Sequence, residues 1–287
     1  MPATPRLHHV QALSPHGLHR VAYWEWGEPG NDRVVVCAHG LTRQGRDFDA
    51  LARQLAGRFR VVCPDVVGRG ESDWLADPSG YALPQYVADM VVLLARLNAR
   101  TIDWVGTSMG GLIGLALASL PGTPLQRLVL NDVGPSIEPE ALQRIAAYVG
   151  QSMRFASVEE GARAIHAVSG GFGSFSEAEW LALNRPMFKP DGEAVRLHYD
   201  PAIANNLRAI TPAFAAAGEA QLWDAWDRLK LPVLLLRGAH SDLLSAATAT
   251  SMTLRGPRAR LVTLPDVGHA PLLDRPDQQA PVLAFLT

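Results

Sequence analysis

Cysteine, runs of like charge and long apolar stretches are all scarce in this sequence. Two cysteines in 287 residues cannot build a disulfide scaffold. Cys37 and Cys63 each fall in an apolar, strand-like run, "RVVVCAHG" and "FRVVCPD", where a buried free thiol is the ordinary state. The 26 basic and 28 acidic residues nearly balance, and no cluster of lysines or arginines could neutralise a row of phosphates. Nucleic acid is excluded as a partner class on that ground. The first residues, "MPATPRLHHVQALSPHG", lack the apolar core of a signal peptide, and "GLIGLALASL" is too short and too interrupted to span a bilayer. A cytoplasmic chain without a membrane partner is the expectation; its oligomeric state is not written in the sequence.

What is present is a repeating alternation. Apolar runs of a few residues, bounded by glycine, proline or aspartate, recur along the chain: "RVVVCAH", "FRVVCPD", "IDWVG", "RLVLND", "PVLLLRG" and "ARLVTLP". Near-continuous apolar runs are what strands buried on both faces of a parallel sheet require. Segments of helical spacing separate them, for example "LPQYVADMVVLLARLN". The stretch His19 to Gly27 alternates as an edge strand should, paired with Leu7 to Leu13. The pattern predicts an α/β fold with a mostly parallel sheet and helices on both faces. A chain of this length suits one elaborated domain.

The alternation fails between Gly134 and Trp226. That stretch holds helical segments and a glycine–aromatic loop, "SGGFGSF", with no convincing buried strand. It is too long for a simple connection, and is expected to be an inserted helical cap or lid over residues 134–226, with residues 1–133 and 227–287 forming the core. Its apolar side chains pack helices together, and a few, among Met153, Phe172, Phe175, Trp180 and Phe188, are candidates for a pocket roof.

"GTSMGG" places Ser108 directly after the strand candidate "TIDWVG" and directly before a helix candidate rich in small residues. A G-x-S-x-G pattern alone arises by chance in about one chain of this size in ten. At a strand-to-helix elbow it carries more, because the sharp turn lifts the hydroxyl above the carboxyl ends of the strands, and only small neighbours let the turn close. Gly106 and Gly110 meet that need. A serine hydroxyl needs a general base, and the base needs an acid. His269, in "PDVGHAP" after the last strand candidate, is the expected base. His8, His9, His16, His19, His166 and His198 lie in terminal, edge or inserted segments. For the acid, Asp242 in "RGAHSD" and Asp132 in "LVLNDVGP" both follow strands. The pattern favours Asp242, whose strand neighbours the one feeding His269; Asp132 beside Gly134 and Pro135 reads as a turn or cap residue. Backbone N–H groups of Met109, after the nucleophile, and of Leu41, after the His39–Gly40 turn, are the candidate oxyanion donors. His39 itself is expected to bond within its loop, and Arg43 either faces the pocket or solvent.

The ordered set "HG" at His39, "PDVVGRGESD" at Pro64, "GTSMGG", "RGAHSD" and "GHAP" resembles the α/β-hydrolase superfamily, in its branch of small serine esterases with a helical cap. The resemblance implies a triad of Ser108, Asp242 and His269 in that chain order, a structural role for the "PDVVGRGESD" loop, and no metal or organic cofactor. Related haloalkane dehalogenases and epoxide hydrolases carry aspartate at the elbow, so serine points to acyl transfer to water. The implied substrate is a small uncharged ester in a mainly apolar pocket. The same scaffold also serves lactones, carbon–carbon bonds and peracids, and binding or receptor proteins with vestigial turnover. Pro281 departs from the pattern and is expected to shorten or kink the last helix.

Overall fold

The computed structural model describes residues 4–151 and 154–287. The chain opens with an antiparallel hairpin, β1 (Arg6–Ser14) and β2 (Gly17–Trp26), and continues through β3 (Arg33–Ala38), α1 (Asp49–Leu55), β4 (Arg60–Pro64), α2 (Leu83–Leu97), β5 (Thr101–Thr107), α3 (Met109–Ser119) and β6 (Leu125–Asn131). A long segment intervenes, holding α4 (Pro139–Tyr148), β7 (Arg154–Phe155), α5 (Val158–Val168), α6 (Glu177–Asn184), β8 (Phe188–Asp191), β9 (Ala194–Leu197), α7 (Ile203–Arg208) and α8 (Pro212–Arg228). The sheet then resumes with β10 (Val233–Gly238), α9 (Ala246–Leu254), β11 (Arg260–Leu264) and the final helix α10 (Pro276–Leu286).

Eight strands form the main sheet in the order β1-β2-β4-β3-β5-β6-β10-β11. The first two pairings, β1 with β2 and β2 with β4, are antiparallel, and all the others are parallel. The apolar runs explain the layering. Alternate residues of each strand point to opposite faces, so Val34, Val36, Trp104, Leu128, Leu130 and Leu235 join one core. Val35, Cys37, Val105, Val129, Leu234 and Leu236 join the other. Helices α2, α3 and α9 close the first face through Met90, Leu93, Ile113, Leu115 and Met252, while α1 and α10 close the second through Leu51, Leu55, Val282 and Leu286. Both faces are thereby buried, as a parallel sheet demands. No helix among the described residues is long and apolar enough to cross a membrane.

Three local outcomes differ from the sequence reading. The segment between β6 and β10 is not wholly helical: β7, β9 and β8 form a second, three-stranded antiparallel sheet. These strands are short and half-exposed and carry lysine, proline and arginine, so they lack the apolar run that marks a buried strand. The signal present was Asp191-Gly192, with Gly192 at φ 64° opening the two-residue turn between β8 and β9. The second half of α8 also packs with the core, since Ala225 and Trp226 are buried on the α3 side of the main sheet. Finally, α10 runs continuously through Pro281. Burial of Val282 and Leu286 on its inner side holds the helix against the missing N–H.

Chain order along β4-β3-β5 reverses at β3: the chain steps to one side for β4 and to the other for β5. Crevices at such reversals, beyond the carboxyl ends of the strands, are where open α/β sheets bind ligands.

Candidate active site

Ser108 leaves β5 with φ 52° and ψ −119°, a strained conformation for a residue with a side chain. The turn closes because its neighbours lack side chains. A Cβ on Gly106 would overlap the carbonyl oxygen of Gly110, and one on Gly110 would overlap that of Ala38. The Ser108 amide donates to the Asn131 carbonyl (3.0 Å), tying the elbow to the end of β6. The loop after β3 runs alongside, where a Cβ added to Gly40 would stand 3.6 Å from the Ser108 Cβ.

Ser108 Oγ lies 3.0 Å from His269 Nε2. The other ring nitrogen, Nδ1, lies 2.8 Å from Asp132 Oδ2. With the carboxylate accepting the Nδ1 proton, Nε2 is left with its lone pair toward the serine hydroxyl, the arrangement a general base needs. Asp132 is wholly buried, yet its oxygens are well satisfied: Oδ1 accepts from the Gly238 amide (2.8 Å) and Oδ2 also accepts from Ser241 Oγ (2.6 Å). Asn131 donates to Thr107 Oγ1 (2.9 Å) and to the Pro271 carbonyl (2.7 Å), bracing the His269 loop against β5. Nothing in the sequence marked Asn131 beyond its position at a strand end.

The expectation for the acid is corrected. The carboxylate on His269 belongs to Asp132, not Asp242. Ser241 takes the inward position of the loop after β10, where its hydroxyl also accepts from the amides of Leu243 and Leu244, and the next residue, Asp242, therefore turns outward. Its carboxylate meets Arg144 of α4 in a two-pronged pair, Nε to Oδ2 at 2.7 Å and Nη2 to Oδ1 at 2.9 Å.

His39 is buried and keeps the loop's shape. Its Nδ1 donates to the Gly40 carbonyl (2.7 Å), and Nε2 accepts from the Val66 amide (2.9 Å). Burial pushes its pKa down to about 3, so it stays neutral in that tautomer. Leu41 follows, and its carbonyl accepts from Arg69 Nε (2.8 Å). Arg69 is fully buried. Its other contacts are the Val67 carbonyl (2.7 Å), the Tyr86 hydroxyl (3.0 Å) and Met109 Sδ (3.6 Å). One guanidinium thus touches both residues expected to supply oxyanion donors. Neither the Leu41 nor the Met109 amide donates to a partner among the described residues. Within "PDVVGRGESD", Asp65 plays the structural part that the resemblance implies, accepting from the amides of Gly45 (2.7 Å) and Glu71 (2.9 Å) and from Trp24 Nε1 (3.2 Å).

Ser108 and His269 open onto a cavity of about 400 Å³ between the strand ends and the inserted segment. Of the pocket candidates, Arg43 and Phe172 line it. Phe175, Trp180 and Phe188 do not, and Met153 lies outside the described residues. Trp180 is buried within the inserted segment, against Phe172, Phe175 and His166, with Nε1 donating to the Ala162 carbonyl (2.7 Å). Phe188 meets Phe155 edge to face at 6.0 Å. Packing within the inserted segment claims these rings, between helices at Trp180 and between strands β7 and β8 at Phe188. The wall is completed by residues the sequence did not single out, among them Arg144, Tyr148, Ile165 and Tyr199. Arg43 is itself tied down, with Nε and Nη2 on Asp47 (2.6 and 2.8 Å) and Nη1 on Asn184 Oδ1 (2.7 Å).

Comparison with known proteins agrees with this fold. A family model described as the alpha/beta hydrolase family matches residues 35–282. A 3-hydroxybutyrate-oligomer hydrolase from Cupriavidus necator is 53% identical over 291 residues, covering 100% of this chain and 99% of that protein. A 2-(acetamidomethylene)succinate hydrolase from Mesorhizobium japonicum is 27% identical over 249 residues, covering 84% of this chain and 83% of that one. Among solved structures, an alpha/beta hydrolase from Novosphingobium aromaticivorans superposes with a TM-score of 0.87 at 36% identity, covering 100% of this chain and 99% of the other.

Proposed function

This chain belongs to the alpha/beta hydrolase family, and from that premise we propose that it is a serine hydrolase of carboxylic esters whose substrates are short ester-linked oligomers of 3-hydroxyacids. The observation that carries the reading is the continuous chain of hydrogen bonds from Ser108 through His269 to Asp132 at the floor of a cavity. The substrate class is supported by the 53% identity to a 3-hydroxybutyrate-oligomer hydrolase over the whole chain.

In this reading Ser108 Oγ attacks the ester carbonyl while His269 Nε2 takes its proton. The amides of Leu41 and Met109 receive the negative oxygen of the tetrahedral intermediate. Collapse breaks the carbon–oxygen bond, and the alcohol departs with the proton that His269 returns. Water then attacks the acyl-enzyme, giving its proton to His269, and release of the acid restores the serine. Asp132 accepts the hydrogen bond from His269 Nδ1–H throughout and offsets the charge of the imidazolium. The segment between β6 and β10 acts as the cap that roofs the cavity.

The test is hydrolysis of the 3-hydroxybutyrate dimer and trimer beside p-nitrophenyl esters of increasing chain length and simple lactones. Release of 3-hydroxybutyrate, with a fluorophosphonate adduct on Ser108, is the expected result. An enzyme that accepts a fluorophosphonate on Ser108 but cleaves only lactones would overturn the open-chain oligomer reading, and one that cleaves no ester at all would overturn the ester reading.

A further inference from the structure

Two guanidinium groups face the cavity, and they differ in what remains free. Arg43 is nearly buried and its donors are engaged on Asp47 and Asn184. Arg144 is 41% exposed and Asp242, its partner, 48%. Asp242 occupies only the Nε and Nη2 edge of Arg144. The guanidinium fork has a second edge, formed by Nη1 and the remaining Nη2 proton; no other carboxylate among the described residues pairs with the guanidinium, and its one further polar neighbour is the Tyr148 hydroxyl. Exposed pairs of this kind contribute little to stability, so Arg144 can turn toward a ligand at small cost. Tyr148, one turn further along α4, lines the same wall.

We propose that the free edge of Arg144, with Tyr148 beside it, forms a carboxylate subsite that holds the acid end of the substrate. The inference rests on the ester reading of the site. A 3-hydroxyacid oligomer ends in one free carboxylate, two carbons from its last ester oxygen, and a planar guanidinium fork is the side chain best matched to it. The loop that carries Asp242 flanks the loop that carries His269, with the His240 amide donating to the Val267 carbonyl (2.9 Å). Arg144 is therefore held beside the loop that carries His269, and in this proposal that is the side from which the alcohol departs. A carboxylate held there belongs to the leaving unit, so cleavage takes the oligomer one residue at a time from its acid end. On this proposal the substrate is anionic, where the sequence reading expects an uncharged ester.

Binding in a Ser108→Ala background tests the subsite without turnover. Calorimetry should show the 3-hydroxybutyrate dimer as free acid binding about tenfold or more tightly than its methyl ester, the range for a charged hydrogen-bonded pair. Adding Arg144→Gln should abolish that preference while methyl ester affinity stays within about threefold; Arg144→Lys, with the charge but not the fork, should keep part of it. Equal binding of acid and ester to Ser108→Ala, or equal weakening of both by Arg144→Gln, would overturn the subsite and reduce the Arg144–Asp242 pair to a latch. The two readings fail separately. An active enzyme that cleaves acid and methyl ester alike removes the subsite and leaves the ester chemistry. An enzyme that cleaves neither, while its Ser108→Ala variant prefers the acid, removes the ester reading and leaves the subsite.

Discussion

Asp132 Oδ2 and His269 Nδ1 lie 2.8 Å apart across 137 residues of chain, joined because β6 and β11 both deliver their carboxyl ends to the same rim of the sheet. Asp132 can be wholly buried there because the Gly238 amide and the Ser241 hydroxyl also donate to it, and a buried carboxylate without such partners would be costly.

Replacing Asp132 by asparagine should therefore lower kcat by about 10⁴-fold, since an amide in that place favours the wrong imidazole tautomer. Asp242→Asn should cost less than about tenfold on a neutral ester such as p-nitrophenyl butyrate, because Asp242 faces Arg144 rather than His269. Both rates measured at one pH decide between the two acids; the reverse order of damage would restore Asp242.

Ser108→Ala should fold normally and lose about 10⁴-fold or more of turnover, the remainder coming from binding and oxyanion stabilisation. Intact-mass measurement after fluorophosphonate treatment should show one adduct on the native chain and none on the variant. An adduct on the variant would place the nucleophile elsewhere.

The sheet was legible because strands buried on both faces must be nearly continuously apolar, as five of the six runs are; the sixth, β11, is a half-exposed edge strand. The pairing of Ser108 with His269 was legible for a related reason: an elbow needs small residues at fixed offsets, and a histidine that reaches it must sit at a strand end. Their carboxylate partner was not. Asp132 and Asp242 follow adjacent strands, and the choice depends on which of Ser241 and Asp242 turns inward, a matter of loop conformation. The pocket aromatics were equally ambiguous, because a tryptophan that seals helices together and one that roofs a cavity share the same spacing. Trp180 does the former. Arg144 escaped notice as one polar residue on an amphipathic helix, whose pairing with Asp242 appears only when α4 is laid over the loop after β10.

Stability should fall in mild acid, and His198 isolates one contribution. Burial, with Lys189 and Arg196 nearby, pushes its pKa down to about 4, while in the unfolded chain it takes a proton near 6.5. Below that pH the unfolded state binds a proton that the folded state refuses, so stability is lost as pH falls from about 6.5 toward 4, by about 1.4 kcal/mol per unit at most. Asp65 works in the opposite sense. Burial raises its pKa to about 6, so from about 6 down to about 4 the folded state gains the proton first. In urea titrations His198→Gln should show a shallower loss between pH 7 and 5 than the native chain. Parallel curves would mean that His198 charges freely in the folded state.

Arg69 is the residue whose removal should separate positioning from folding. It donates to the Leu41 carbonyl and touches Met109 Sδ, so it fixes both amides proposed to meet the oxyanion, and its charge is buried against carbonyls and tyrosine rings instead of a carboxylate. Arg69→Gln should reduce kcat by about 10²-fold, the scale of one lost oxyanion donor, with KM changed by less than about threefold because the ground-state ester does not use that hydrogen bond fully. Arg69→Lys keeps the charge but not the fork, and should recover only part of the rate. A boronic acid that mimics the tetrahedral intermediate should lose affinity in step with kcat across the three proteins. If both variants melt at lower temperature yet keep native kcat and native boronate affinity, Arg69 supports the fold alone and the donors are held by the β3 and β5 turns themselves.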